Sequence, residues 1–507
     1  VKRLGACKRV IGFDLDSDAI AYSRRRLSPI VGDATLDLRD EDYLAHCANV
    51  FEPSLFQDEK SELVDAVIAN PPYVRTQVMG AKESQRLAKL FGHGGRVDLY
   101  FAFLSCIARS LRPGGIAGVI VSNRFMTIKA GEKVREELLR EFDILKLFDL
   151  GDTRLFEAAV LPAVLILRRK DHNRPFNETK FTAIYSTEEK PNSTEGSVFS
   201  ALRSPGIHKV GDQAFEVRQG KLSTSGSTQG VWTLVDPKSE KWLKRVDART
   251  YLKFGELGKI RVGVKTTADK VFVRDDWEEL LGENAPELLR PLVTHHEGRQ
   301  FIPRCSDRPK RILYTHEMVE GRKQAVDLDN HPKSKAYLSE PANREKLEAR
   351  SYVIKAGRNW FEIWVPQNPD AWEKPKIVFA DISEKPCFWL ENSGRVVNGD
   401  CYWLMIDSKD QDDLLLLALA VGNSKFIETF YDYSFNNKLY SGRRRFMTQY
   451  VEKFPLPDPS DATSKKIVKA VKKLINLEFE SPAFIRKKQE IDHLVEEAFG
   501  VSKEVLR

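Results

Sequence analysis

Cysteine is scarce in this chain and never patterned. Its six cysteines stand singly at Cys7, Cys47, Cys106, Cys305, Cys387 and Cys401, without a CxxC pair or a nearby metal-ligand histidine spacing. A disulfide framework and a structural zinc site are therefore not expected, and no metal is. The His295-His296 doublet is read as surface, since adjacent side chains usually point apart. No run of about 18 apolar residues occurs, nor a basic-then-apolar leader, so no membrane partner is expected and the location expected is cytoplasmic. Strong charge of one sign is also missing: the net charge is +7 over 507 residues. That length calls for two or more domains.

What the chain does have is concentrated in Asn70-Pro71-Pro72-Tyr73. These follow Val64-Asp65-Ala66-Val67-Ile68-Ala69, which reads as a short buried strand. Two prolines fix φ and remove two N–H donors, so the turn is stiff and rich in acceptors. The Asn70 amide oxygen and a neighbouring carbonyl suit both hydrogens of one exocyclic amino group. Tyr73 offers a flat face for a planar ring. Together they make a clamp for a planar amine.

The flanking sequence supplies a frame. Arg9 to Asp16 reads as an apolar strand ending in acid, with Ser17-Asp18 capping a helix from Ala19 through Arg26. A second short strand ends in Val31-Gly32-Asp33-Ala34. Asp98 to Leu111 is expected as a helix stopped by Pro113-Gly114-Gly115. A strand follows over Ile116–Val121, a helix from Gly131 to Glu141, and strands at 144–148 and 161–167. Strands alternating with helices predict a parallel-type α/β sheet whose strand tips share one ligand edge.

The first 170 residues resemble the class I S-adenosylmethionine-dependent methyltransferase fold. Their order of strand acid, Gly-Asp, Asn-Pro-Pro-Tyr and Asp-Leu-Tyr helix is similar to the gamma-type, TaqI-like N6-adenine DNA methyltransferases. The resemblance implies that Asp14 holds the cofactor ribose, that Leu15 packs on its adenine, and that Asp33 holds its amino group. Asn70, Pro71, Pro72 and Tyr73 would be catalytic, with Asn70 also at the cofactor. Phe156, just before Leu161-Pro162-Ala163-Val164, would stack on an extruded base opposite Tyr73. The cofactor implied is S-adenosylmethionine and the partner double-stranded DNA, with a cognate restriction endonuclease or other defence-system subunits beside it.

One part of that pattern is missing. A glycine-rich loop normally precedes the ribose acid by about 20 residues. Counting back from Asp14 runs off the front of the chain, which begins with valine. The expectation is a sheet lacking its first strand in a chain cut at its amino end. Two other readings follow: a DNA-binding remnant without catalysis, or the methylation and specificity part of a fused restriction enzyme.

The expected organisation is a methyltransferase domain over 1–171, a polar linker over 172–214, a mixed α/β target-recognition domain over 215–455, and a helical segment over 456–507. Val262 to Asp269, Lys376-Ile377-Val378 and Lys438 to Arg443 carry the second-half likeness. Asn436, Asn437, Lys438, Arg443, Arg444 and Arg445 form the segment expected on DNA, because arginine pairs with guanine or phosphate and asparagine with adenine. Lys265 and Arg299 are placed on the same face. Lys465, Lys466, Lys469, Lys472 and Lys473 give the last segment a basic helical side.

Overall fold

The computed structural model describes residues 9–31, 36–50, 63–72, 99–153, 155, 161–171, 175–176, 178–224, 227, 230–406, 411–435 and 443–501. They belong to two compact units, Val1–Asp236 and Pro237–Arg507.

The first unit starts with β1 (Val10–Asp14), α1 (Ser17–Val31), β2 (Leu36–Asp40) and α2 (Tyr43–Val50). Asp16 caps α1: its Oδ1 accepts from the Asp18 amide at 2.9 Å and the Ala19 amide at 3.4 Å. The cap is thus one residue earlier than expected from Ser17-Asp18. The strand expected to end at 31–34 is not there, since α1 continues through Ile30-Val31. The arginine- and leucine-containing run 24–27 favours continued helix. Alternating Leu36-Asp37-Leu38-Arg39 forms the strand instead, pairing parallel to β1 with Val10 opposite Leu36.

Next come β3 (Val64–Ala69), α3 (Tyr100–Ser110), β4 (Leu111–Ser122), α4 (Glu132–Glu141), β5 (Phe142–Asp149) and β6 (Pro162–Arg169). α3 buries Phe101, Leu104 and Ile107, roughly 1.5–3 kcal/mol for each side chain. The pairing of β3 with β4 jumps from Val64–Leu111 to Ala66–Ile116, so Pro113-Gly114-Gly115 lies in a bulge. β6 runs antiparallel between β4 and β5.

The polar stretch expected as a linker is built into the same sheet. It holds β7 (Lys180–Ser186), β8 (Ser193–Glu195) and β9 (Gly206–Val210), followed by β10 (Gln213–Ser223) and β11 (Thr233–Val235). The order is β3-β4-β6-β5-β7-β10-β9-β8, with β11 on β10. Lys180-Phe181-Thr182-Ala183 pairs with both β5 and β10, and with Ile184 its buried apolar residues outweigh the polar residues around it.

β1 and β2 form a sheet of their own, and no described strand stands between them and β3. Ile68 of β3 is 95% exposed. Through α2 the small sheet reaches α3: the Tyr43 and Ser110 hydroxyls are 2.8 Å apart, and Phe13 lies against Tyr43 at 5.4 Å.

In the second unit, α5 (Pro237–Ala248) precedes a four-stranded antiparallel sheet of β12 (Ile260–Val262), β18 (Lys376–Ala380), β19 (Phe388–Glu391) and β21 (Cys401–Leu404), in the order β12-β21-β18-β19. A second sheet orders β13 (Val273–Arg274), β15 (Arg311–Leu313), β14 (Leu289–Val293) and β20 (Val396–Val397). The hairpin of β16 (His316–Val319) and β17 (Arg322–Ala325) stands beside it in sequence. α6 (Gln411–Gly422), α7 (Lys425–Phe435), α8 (Ala462–Leu474) and α9 (Pro482–Ala498) share one core with Phe379, Phe388 and Leu404. Ser481 caps α9 by accepting from the Phe484 amide, with Pro482 at the first helical position.

Candidate functional site

Asn70 follows β3 directly, at the C-terminal tip of a strand whose last pair is Ala69 with Val119. Asn70 and Pro72 are exposed and Pro71 is buried. A buried first proline anchors the turn while the amide stays at the rim, and neither proline contributes an N–H. Tyr73 lies outside the described residues, as do Asp33, Phe156, Asn436, Asn437 and Lys438.

Asp14 and Asp40 are register partners at the tips of β1 and β2, and both are exposed. Asp14 Oδ1 accepts from the Asp16 amide at 2.9 Å, and its other oxygen has no hydrogen bond among the described residues. Leu15 beside it is 74% exposed. A carboxylate oxygen next to an exposed apolar side chain suits a ribose hydroxyl with an attached flat ring. Asp40 was missed from sequence; the alternating Leu36 to Arg39 run ending in acid was the available signal.

The rim continues through a buried polar knot. β4 ends at Ser122, whose hydroxyl accepts from the Arg124 amide and caps the short helical turn Asn123–Met126. Asn123 Nδ2 donates to Asp149 Oδ1 at 3.0 Å, and the Tyr185 hydroxyl donates to Asp149 Oδ2 at 2.6 Å. The Gly151 amide donates to Oδ1 at 3.2 Å. Asp149 is fully buried, and burial pushes its carboxyl up to about 6 against the opposing pull of these donors. The knot joins the tips of β4, β5 and β7. Nothing in the local sequence pattern announces it, because its members lie 26 and 36 residues apart.

In the second unit the expected basic segment divides. Arg444 is buried and forks onto Asp432 with both contacts at 2.8 Å, donating also to the Glu384 carbonyl at 2.8 Å. Arg445 forks onto Asp381 at 3.1 Å twice. Both guanidinium groups are thus engaged within the fold, where sequence reading had turned them toward DNA. Arg443 stays exposed. Arg299 lies over the Phe479 ring at 4.6 Å. Lys265 is exposed, and its backbone pairs with Val365.

The model of the Eco57I restriction-modification methylase family matches residues 9–156, and that of the TaqI-like C-terminal specificity domain matches residues 334–456. The chain is 40% identical to the type II methyltransferase M.BanIII of Aneurinibacillus aneurinilyticus, over 97% of this chain and 87% of that one. It is 22% identical to the type II methyltransferase M.BstVI of Geobacillus stearothermophilus, over 99% and 85% respectively. A solved structure of the type IIL restriction-modification enzyme MmeI in complex with DNA matches with a TM-score of 0.59 at 14% identity, over 94% of this chain and 60% of that one. That last likeness speaks for the fold: a class I methyltransferase sheet followed by a specificity domain. With the sheet, the strand-tip asparagine and a relative matched along nearly its whole length, the chain belongs to the type II DNA methyltransferases of restriction-modification systems.

Proposed function

We propose that this chain transfers a methyl group from S-adenosylmethionine to the N6 amino group of an adenine rotated out of double-stranded DNA. The observation that carries this reading is the Asn70-Pro71-Pro72 segment at the tip of β3, with Asn70 an exposed residue on a proline-stiffened rim.

The residues present suit the cofactor. Asp14 would take its ribose hydroxyls and Leu15 would lie on its adenine, with Asp33 as a further candidate. When bound, S-adenosylmethionine supplies an electrophilic methyl group on a sulfonium. Asn70 and the adjacent carbonyl accept both amino hydrogens of the target, which orients the nitrogen lone pair for in-line attack. The same acceptors stabilise positive charge as it grows on that nitrogen. Rotating the nucleotide out costs a few kcal/mol. Stacking on Tyr73 and Phe156 would return roughly 1–3 kcal/mol per contact. The chemistry asks for no metal and no covalent intermediate.

The second unit would read the target sequence. A restriction endonuclease of the same specificity is the partner proposed, in the cytoplasm. It would be a separate protein or a fused one, as in the relative named as the restriction enzyme and methyltransferase RM.Eco57I of Escherichia coli.

The test is digestion and mass spectrometry of duplex DNA after incubation with the chain and isotopically labelled S-adenosylmethionine. Label in N6-methyladenine, lost in Asn70→Ala, is the expected result. Label in a cytosine, or none under conditions where cofactor binds, overturns the proposal.

A further inference from the structure

The irregular segment Trp360–Gln367 is held with unusual completeness. Arg350 is buried and donates to the Trp360 carbonyl at 2.6 Å and the Glu362 carbonyl at 3.0 Å. Arg358 donates to the Ile363 carbonyl at 2.8 Å and the Trp364 carbonyl at 2.7 Å, and its Nε to Glu362 Oε2 at 2.8 Å. The Thr315 hydroxyl takes the Phe361 carbonyl at 3.1 Å, the Lys265 amide takes that of Val365 at 3.1 Å, and the Tyr314 hydroxyl takes that of Pro366. Every carbonyl from Trp360 to Pro366 therefore has a donor, though the segment is neither helix nor sheet. Such investment in an irregular strut marks a segment whose end must be placed accurately.

At that end stands Gln367, a non-glycine residue with φ +63°. Backbone in this region is uncommon and strained, and it concentrates at functional positions. Gln367 Nε2 donates to the Val262 carbonyl at 2.7 Å, which fixes the amide plane. Its Oε1 accepts from no described residue. Thr267, on the segment bridged to the strut through Lys265 and Val365, also has positive φ, at +60°.

Across a cavity of about 300 Å³ from the strut is the β16–β17 hairpin. Its turn is Glu320-Gly321, with φ +50° and +73°, a tight two-residue connection whose twist suits the strands. Lys323 and Gln324 of the hairpin line the cavity and are exposed, and neither side chain makes a hydrogen bond or ion pair among the described residues. His316 roots the hairpin: it is buried, and its Nε2 lies 3.3 Å from an Arg358 nitrogen and 3.4 Å from Glu362.

We infer that the β16–β17 hairpin and Gln367 form the sequence-reading surface of the second unit, with Gln324 and Gln367 on base edges and Lys323 and Lys265 on phosphates. The two-stranded ribbon has the cross-section that a DNA major groove admits. A free glutamine amide matches the N6 and N7 of adenine bidentately, and a fixed amide oxygen matches the amino group of adenine or cytosine. Exposed lysines position the backbone without reading sequence. Arg444 and Arg445 are engaged by Asp432 and Asp381, which leaves Lys323 and Lys265 among the open cationic groups of this unit.

This inference rests on the chain being a sequence-specific DNA methyltransferase. It is tested by selecting bound duplexes from a randomised pool with the full chain and sequencing them, for wild type, Gln324→Ala, Gln367→Ala and Lys323→Ala. Gln324→Ala and Gln367→Ala are each expected to lose about tenfold or more of discrimination at one base pair and keep it at the others. Lys323→Ala is expected to weaken all sequences alike and reduce the salt slope by about one. Gln324 is exposed, so its variant stays informative if Gln367→Ala fails to fold. A wild-type motif enriched unchanged by Gln324→Ala, with an unaltered salt slope for Lys323→Ala, overturns the inference and leaves the enzymatic reading standing. A wild type that binds no preferred sequence and modifies no DNA overturns both.

Discussion

Asn123 Nδ2 donates to Asp149 Oδ1 at 3.0 Å, tying the strand that pairs with β3 to the strand two places further along the sheet. The bond is buried, and with Tyr185 it fixes the height of the rim beside Asn70.

Removing the acceptor should therefore cost more than removing one donor. Asp149→Ala removes the acceptor of Asn123, Tyr185 and Gly151, and should destabilise the first unit by at least about 3 kcal/mol, at about 1–3 per stranded donor. Tyr185→Phe should cost about 1 kcal/mol. Hydrogen exchange over β5 and β7 measures both. Asp149 has a folded value raised to about 6 from an ordinary 3.8. Its contribution is complete below the ordinary value and is lost as pH rises through about 6. Wild type should thus gain protection between about pH 6 and pH 4 relative to Asp149→Ala. An identical pH response in the two chains would remove Asp149 as its source.

Asn70→Ala should lower methyl transfer by at least about 100-fold, as when one preorganised polar group is lost from a reacting centre. Duplex affinity should change less than twofold, because in the proposed mechanism the side chain acts after the base leaves the helix. Filter binding beside a single-turnover assay separates the two. Equal losses in both would refute the amino-clamp role.

The divided arginine cluster makes opposite predictions for neighbours. Arg444→Ala leaves Asp432 without its bidentate partner at a largely buried position and should cost about 3 kcal/mol in urea unfolding. Arg443→Ala should leave stability within about 0.5 kcal/mol. If the exposed guanidinium lies on DNA, the variant reduces the salt slope by about one. A stability loss in Arg443→Ala larger than in Arg444→Ala would reverse the assignment.

His316 offers a second pH probe, of opposite sign. Burial, with Arg358 and Lys323 adding to it, holds the imidazole below its ordinary 6.5, while Glu362 opposes them. Its contribution is present above the ordinary value and is lost as pH falls through the depressed one. The second unit should lose stability below about pH 6.5, and His316→Gln should flatten that limb. Exchange of the hairpin and Trp360–Gln367 amides reads the effect, and an unchanged limb in the variant would assign it to another group.

How legible was all this? The Asn70-Pro71-Pro72 turn could be read because it is local: an apolar strand, an amide and two prolines are adjacent, and each has a fixed conformational meaning. The helices near 100–110 and 132–141 were legible for the same reason, from apolar spacing and the Pro-Gly-Gly stop. Residues 172–214 were misread as a linker, because Lys180 to Ser186 is short and lies among polar turns. Only its pairing with β5 and β10 makes it sheet. The strand at 36–40 was displaced because the register with β1, not local propensity, selects Leu36 as its start.

By itself the sequence determined where the stiff acceptor-rich turn lies, that a strand leads into it, and that a second half of different texture follows; the burial expected of that strand is not found, since no residue of β3 is buried. Those properties come from covalent geometry and side-chain period, which act over a few residues. Tertiary structure alone decided which polar groups are engaged and which remain open. Arg444 meets Asp432 and Arg445 meets Asp381, 12 and 64 residues away, while the side-chain oxygen of Gln367 meets no donor among the described residues. Hydrogen-bond partners are chosen by proximity in the folded chain, and desolvation makes each choice strong. The residues proposed to read DNA are ones whose side chains keep polar groups that no described residue has taken.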